Sequence, residues 1–223
     1  MTRLNHPRSD TRRVIVVTDG DRVAARALDL AAKRTGCSFV AQSRGNPTRM
    51  SGVELVRCVQ EAPHDPVIVM LDDNGDPAEA SGESALRVLS AHPSVEIAAI
   101  LAVASHTSGV RGTPVDFSVD RNGRRVERAV DKEGRETGSY LVAGDTVDAL
   151  SGLDVPLIVG IGDIGKMGGL DAPARGAPVT TCAIEWVLME LAWRAGRRDL
   201  TPEDRRPQRH TLRGIQSSRR WRG

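Results

Sequence analysis

Three apolar runs in this chain end in a carboxylate: Val14 to Asp21 (VIVVTDGD), Val67 to Asp73 (VIVMLDD) and Leu157 to Asp163 (LIVGIGD). Runs of Val and Ile without polar alternation belong to strands covered on both faces, which means a parallel sheet sandwiched between helices. Parallel strands joined by helical crossovers share one C-terminal edge, and ligands bind there in open α/β sheets. Asp19, Asp21, Asp72, Asp73 and Asp163 are therefore expected at a single acidic edge. The competing role is local, because an Asp at a strand-to-helix turn also caps the free amides of the next helix.

The segments between these runs supply the helices. From Arg22 to Arg34, Val23, Ala27, Leu30 and Ala31 fall on one stripe and Arg22, Arg26, Asp29 and Lys33 on another. Ser38 to Gln42 reads as a short strand. Ser51 and Glu54 have the spacing of a capping box, and Glu61 to Pro66 ends the helix they open. A helix near Glu83 to Ala91 precedes a buried strand from Val95 to Ala104. The order β-α-β-α-β-α-β argues for a doubly wound, mostly parallel sheet with helices on both faces, Rossmann-like or Toprim-like. Further on, Val115, Phe117 and Val119 alternate with polar residues, and Asn122-Gly123 suits a tight turn, so an antiparallel hairpin with Val126 opposite Val119 is expected. Tyr140 to Val142 is a short extended run, and Asp145 to Leu150 is expected to form a brief helix. The last helix, about Val179 to Arg197, has Ile184, Val187, Leu188, Leu191 and Ala195 on a core stripe. Its second apolar face, Trp186, Met189 and Trp193, is an interface candidate for a homodimer or a partner protein.

Charge divides the chain into a body and two ends. Residues 194 to 223 hold ten arginines and residues 1 to 13 hold four, which leaves 17 basic against 25 acidic groups for residues 14 to 193. The expected organisation is a basic extension over 1–13, one α/β domain over 14–198 and a basic, flexible tail over 199–223. An acidic body does not seek nucleic acid, so none is expected as a partner; the tail is suited to an anionic membrane surface. No apolar stretch reaches the ~18 residues of a membrane span, and the first residues lack the apolar segment of a signal peptide, which points to an intracellular protein. Cys37, Cys58 and Cys182 are widely spaced among apolar neighbours and read as core fillers in a reducing compartment.

Several motifs compete for the acidic edge. Gly160, Gly162 and Gly165 spell G-x-G-x-x-G after a strand, but the glycines and prolines that follow replace the helix a dinucleotide needs. Gly160 to Lys166 also spells G-x-x-x-x-G-K, with Met167 where a magnesium-binding hydroxyl belongs. What remains is an anion-loop candidate built from Gly160, Gly162, Gly165 and Lys166. Asp72, Asn74, Asp76 and Glu83 occupy positions 1, 3, 5 and 12 of a calcium-loop template, although Pro77 stands where that template has glycine. Ca2+ or Mg2+ is the cofactor class these acids suit. Acids after the first and third strands also resemble the Toprim fold of topoisomerases and small nucleases, with Thr18-Asp19-Gly20-Asp21 and Asp72-Asp73-Asn74 in place of its Glu and D-x-D. No Ser/His or Cys/His pair supports acyl transfer.

Ten ordered phrases resemble one family: VIVVTDGDRVA, GNPT followed by SG, DPVIVMLDD, GESAL, AHPSVEI, AVAS, VDFSVDRNG, GDTV, VGIGDIGKM and GAPVTT with AIEWVL. It is the soluble stage V sporulation protein AE, the SpoVAEa type of endospore-forming bacteria. The resemblance covers about Val14 to Ala195 and leaves the basic tail outside. It implies a spore protein peripherally associated with the inner membrane, an accessory in moving calcium dipicolinate or other ions, with membrane proteins of the same operon as partners. It implies no established enzymatic activity, so no catalytic residue is carried over. The alternative from the residues alone is a divalent-metal-dependent Toprim-like enzyme or a small-ligand sensor at the acidic edge.

Overall fold

In the computed structural model, residues 11–73, 81–105, 112–143 and 155–198 are described. Seven strands form one sheet: β1 (Arg12–Val17), β2 (Ser38–Phe39), β3 (Val67–Met70), β4 (Val95–Val103), β6 (Phe117–Val119), β7 (Arg125–Val126) and β9 (Ile158–Ile161), in the order β2-β3-β1-β4-β9-β6-β7. Every neighbouring pair is parallel except β6 and β7. Two further strands, β5 (Thr113–Pro114) and β8 (Leu141–Val142), pair antiparallel as a separate small sheet. This is the mostly parallel α/β architecture expected from the apolar runs.

The apolar runs are uniform because both faces of the sheet are covered. Ile15, Val17, Ile68 and Met70 pack with α1 (Arg22–Thr35) and α4 (Pro178–Arg198) through Ala24, Leu28, Ala183 and Ile184. Val14, Val16, Val67 and Val69 point the other way, onto Leu55 and Val59 of α2 (Gly52–Glu61) and Leu86 and Leu89 of α3 (Ser81–Ala91). The period of two in a strand divides one run between two cores, and each fully buried Val or Leu contributes about 1.5–3 kcal/mol. In β4 the register slips by one residue between the partners of Val14 and Ile15. Ala98 is the extra residue, so Ile97 and Ile100 share the α2–α3 face while Ala99 and Leu101 face α1 and α4.

Helix starts follow the cap chemistry. Ser51 accepts from the Glu54 amide while the Glu54 carboxylate accepts from the Ser51 amide, completing the expected capping box of α2. The left-handed Gly36 (φ 75°) closes α1. Because α1 leaves β1 on one face and α3 leaves β3 on the other, the loops after these adjacent strands diverge and open a crevice at their C-terminal ends.

Three details differ from the sequence expectation. First, β1 begins at Arg12, ahead of the apolar run, because the Arg12 guanidinium donates to the carbonyls of Val59 in the last turn of α2 and of Ala62 just after it, and Arg13 pairs with Asp65 at 2.7 Å. Second, β2 stops at Phe39 because a 3-10 turn over Ala41–Ser43 follows. Third, the hairpin forms with Val119 opposite Arg125 rather than Val126. The Asp120 side chain accepts from the amides of Asn122 and Arg124 and lengthens the turn. The helix expected over Asp145 to Leu150 lies outside the described residues, as do residues 1–10 and 199–223.

Candidate functional site at the sheet edge

The crevice between the loops after β1 and β3 is floored by the end of β1. Thr18 continues the strand by donating its amide to Leu101 and accepting the Val103 amide at its hydroxyl, 2.9 Å away. The chain then turns through Asp19-Gly20-Asp21 into α1. Gly20 is the tight point, since a Cβ there would stand 1.9 Å from the carbonyl oxygen of Gly45. The loop carrying Asn46 is therefore pressed onto the end of β1. Its other anchor is Thr48, which exchanges two 2.8 Å hydrogen bonds with the backbone of Asp72.

Asp21 does both things the sequence allows. One carboxylate oxygen caps α1, accepting from Val23 at 2.7 Å and Ala24 at 2.8 Å. The other meets the Lys166 ammonium at 2.5 Å, and Lys166 also reaches Asp163 at 3.0 Å. Asp19 accepts the Asp21 amide at 2.8 Å. Oxygens of Asp19, Asp21 and Asp163 all lie within 4.8 Å of one another, one turn after β1 and β9. They line a cleft of about 280 Å3 together with Asp72, Asn46, Ser105 and Lys132. Four of the five acids expected at one edge are thus brought together.

Asp73 goes elsewhere. Successive side chains leave an extended segment in opposite directions, and the Asp73 carboxylate accepts from Gly82 at 2.7 Å and Glu83 at 3.2 Å, capping α3. Glu83 pairs along its own helix with Arg87 at 2.9 Å. Asn74 and Asp76, the other members of the calcium-loop template, lie outside the described residues.

The charges in the cleft are unequal. Burial pushes the Asp19 carboxyl up to about 7, with the neighbouring Asp21 and Asp163 adding to the rise and the Asp21 amide and Lys166 opposing it. At Asp21 burial also acts upward, but the Lys166 ammonium and the amides of Ala24 and Val23 outweigh it and hold the group below the usual carboxylate range. Burial alone would lower Lys166; Asp21 and Asp163 instead raise it above the usual lysine range. Near neutral pH the cleft therefore holds an ionised Asp21–Lys166 pair beside an Asp19 that is gaining or losing its proton.

The glycines of the loop after β9 sit where other segments approach. A Cβ on Gly160 would stand 2.4 Å from the Ser118 hydroxyl, and one on Gly162 2.7 Å from the Gly134 amide nitrogen. Gly165 is left-handed (φ 76°) and lies against the Val23 carbonyl. Lys166 itself points at the acids. Holding this loop is Asp171, a fully buried carboxylate not singled out by sequence reasoning. It accepts from Gly165 at 2.7 Å, from the amides of Val179 and Thr180 at 2.7 and 2.9 Å, and from the Thr180 hydroxyl at 2.5 Å. Its donors are six to nine residues away, so no short capping pattern announces it.

On α4 the three interface candidates are not equivalent. Trp186 is half-buried and donates its indole N–H to Gly123 at 3.1 Å. Met189 and Trp193 are 52% and 55% exposed. Between these faces Glu190 bridges Arg125 and Arg194 at 2.9 and 2.8 Å, and Arg194 continues to Asp116 at 3.0 Å, tying the hairpin to the helix.

Comparison with known families gives a match to SpoVAE, stage V sporulation protein AE1, over residues 13–190. The chain belongs to this family. Membership gives it a role in sporulation, as the resemblance implied. All members of the cleft and Asp171 fall within the matched SpoVAE residues, whereas Trp193 and the arginine-rich tail lie beyond them. No curated protein and no solved structure matches the chain.

Proposed function

We propose that the chain is an accessory subunit of the spore inner-membrane system that moves calcium dipicolinate or other ions in sporulation and germination. In this reading it works by docking on membrane-embedded proteins of the same operon, not by catalysis. Membership of the SpoVAE family over residues 13–190 carries the proposal. Among the described residues no helix is long and apolar enough to cross a membrane. Attachment through protein contact is then the simplest route to the membrane, and the half-exposed Met189 and Trp193 on α4 offer the apolar anchors such a contact uses. Crosslinking in spores, followed by membrane fractionation and identification of the attached protein, tests the reading. Recovery of the chain wholly free in the spore core or mother-cell cytosol, with no membrane partner attached, rejects it.

A second reading is favoured by one observation, the convergence of Asp19, Asp21 and Asp163 oxygens within 4.8 Å in a cleft that Asp72 also lines. Hard divalent cations take carboxylate oxygens, so Ca2+ or Mg2+ is the ligand class for a sensor or a metal-dependent enzyme at this edge. A cation entering there must displace the Lys166 ammonium or bind beside it. A ligand bound only by the folded state stabilises it by RT ln(1 + [L]/Kd), about 2.7 kcal/mol at a hundredfold excess over Kd. Millimolar Ca2+ or Mg2+ is expected to raise the melting temperature of the wild type and to do so less in Asp72→Ala. A melting temperature unmoved in both proteins rejects this reading.

A further inference from the structure

Among the described residues, the sheet ends at β2. In the parallel ladder with β3 the amides of Ser38 and Val40 donate to the carbonyls of Pro66 and Ile68, so the amide and carbonyl of Phe39 between them face away from the sheet. Next to this edge, α1 and the start of the 3-10 turn enclose a groove of about 400 Å3. Its floor is apolar: Leu30 and Phe39 are only partly buried against the core and are joined by Ala25, Ala41 and Pro173. Its charged groups are of unequal standing. Asp29 is already paired with Lys33 at 2.6 Å, whereas Arg26 and Arg44 are exposed and make no ion pair among the described residues.

We propose that this groove is a docking site for an extended segment of a partner protein that carries both aliphatic and acidic side chains. The segment lies along the outer edge of β2, pairs its backbone with Phe39, sets an apolar side chain on Leu30 and Phe39, and meets Arg26 and Arg44 with carboxylates. The outward-facing backbone selects an extended segment, the floor selects an aliphatic side chain, and the two guanidinium groups, without an ion pair among the described residues, select its charge. The 3-10 turn at Ala41–Ser43 leaves only a short length of edge to pair, so the groove and the arginines supply the specificity. No residue of α4 lines the groove, so this site stands or falls apart from docking through Met189 and Trp193.

The test is a titration of the isotopically labelled full chain, followed by amide NMR, with two capped pentapeptides, Glu-Leu-Glu-Val-Glu and its counterpart with lysine in place of each glutamate. The acidic peptide is expected to move the amide signals of Leu30, Phe39 and Ala41, to bind at least tenfold more tightly than the basic one, and to weaken as salt is raised. The double substitution Arg26→Glu with Arg44→Glu is expected to invert that preference. Equal binding of the two peptides to the wild type, or shifts confined to other surfaces, overturns the proposal even if the double variant fails to fold. So does an absence of shifts. Movement of the same three amides on raising the protein concentration alone would make a second copy of the chain the occupant, and would also overturn it.

Discussion

The Lys166 ammonium stands 2.5 Å from the Asp21 carboxylate, joining the loop after β9 to the first turn of α1 across the end of the sheet. Lys166 is 42% exposed and Asp21 30%, so solvent screens the pair, yet the same ammonium also answers Asp163. Lys166→Met leaves three carboxylates facing one another. The expected loss is about 1 kcal/mol at low salt, measured by urea unfolding, and smaller in high salt where the remaining repulsion is screened.

Asp19 gives the fold a distinctive pH dependence. Its folded-state value of about 7 exceeds the ordinary 3.8, so between these values the folded chain binds more protons than the unfolded one and stability falls as pH rises. Asp21 acts in a different range, because its depressed value contributes stability that is lost only as pH falls below the ordinary carboxylate range. Asp19→Asn keeps the acceptor for the Asp21 amide and removes the charge. Unfolding free energies measured at pH 5 and pH 8 are expected to differ less in this variant than in the wild type, by up to about 3 kcal/mol, since only the span from pH 5 to about 7 contributes.

Replacing Asp171 is expected to be the most damaging single change at this edge. Asp171→Ala leaves the amides of Gly165, Val179 and Thr180 without their acceptor, at a cost of about 1–3 kcal/mol for each donor left unpaired. Hydrogen exchange at those three amides should accelerate before that of the β1 core. Protection as in the wild type would show that the loop is held by other means.

The exposed end of α4 should be more tolerant. Met189→Ser and Trp193→Ser are each expected to lower the unfolding free energy by about 1–2 kcal/mol and leave the chain folded, because only about half of each side chain is covered. If this face docks, the same pair of changes removes the protein from the spore membrane fraction.

The arginine-rich segment beyond Leu200 makes a separate prediction. Full-length chain is expected to co-sediment with vesicles of anionic lipid at low salt and to be released at high salt, each arginine near the surface contributing ~1 kcal/mol. A chain ending at Leu200 should remain in the supernatant in both. Equal behaviour of the two proteins removes the lipid contact.

The parts of this fold that were legible in the sequence depend on short-range chemistry. Uniform Val and Ile runs announced strands covered on both faces, and Ser51 with Glu54 announced a cap because its partners are three residues apart. The cleft was legible as a set of strand-end acids, but not as a division between Asp72 and Asp73, since neighbours on an extended chain look alike in sequence and part in space. Lys166 was visible as a cation after a glycine loop; that it faces acids required β1 and β9 to be placed two strands apart. Asp171 was hidden because its donors come together only once α4 has packed. The hairpin register was missed because Asn122-Gly123 argued for the shortest turn, while Asp120 holds a longer one with its own side chain.

The extra residue in β4 works like a change of reading frame. Upstream of Ala98 the strand is phased by its pairing with β1, and downstream it is phased by β1 and β9 together. With Ala98 held outside the ladder, Ile97 and Ala99 fall on opposite faces as two successive residues would, so deleting Ala98 would leave both halves facing as they do. Drawing Ala98 into a regular ladder would do the opposite: Ile97 and Ala99 would share a face, and, with the downstream half held on both edges, Ile97 would turn from the α2–α3 core toward the other. The strand thus carries one residue more than its pairing needs, and a shortening by one at this point is absorbed without any side chain changing core.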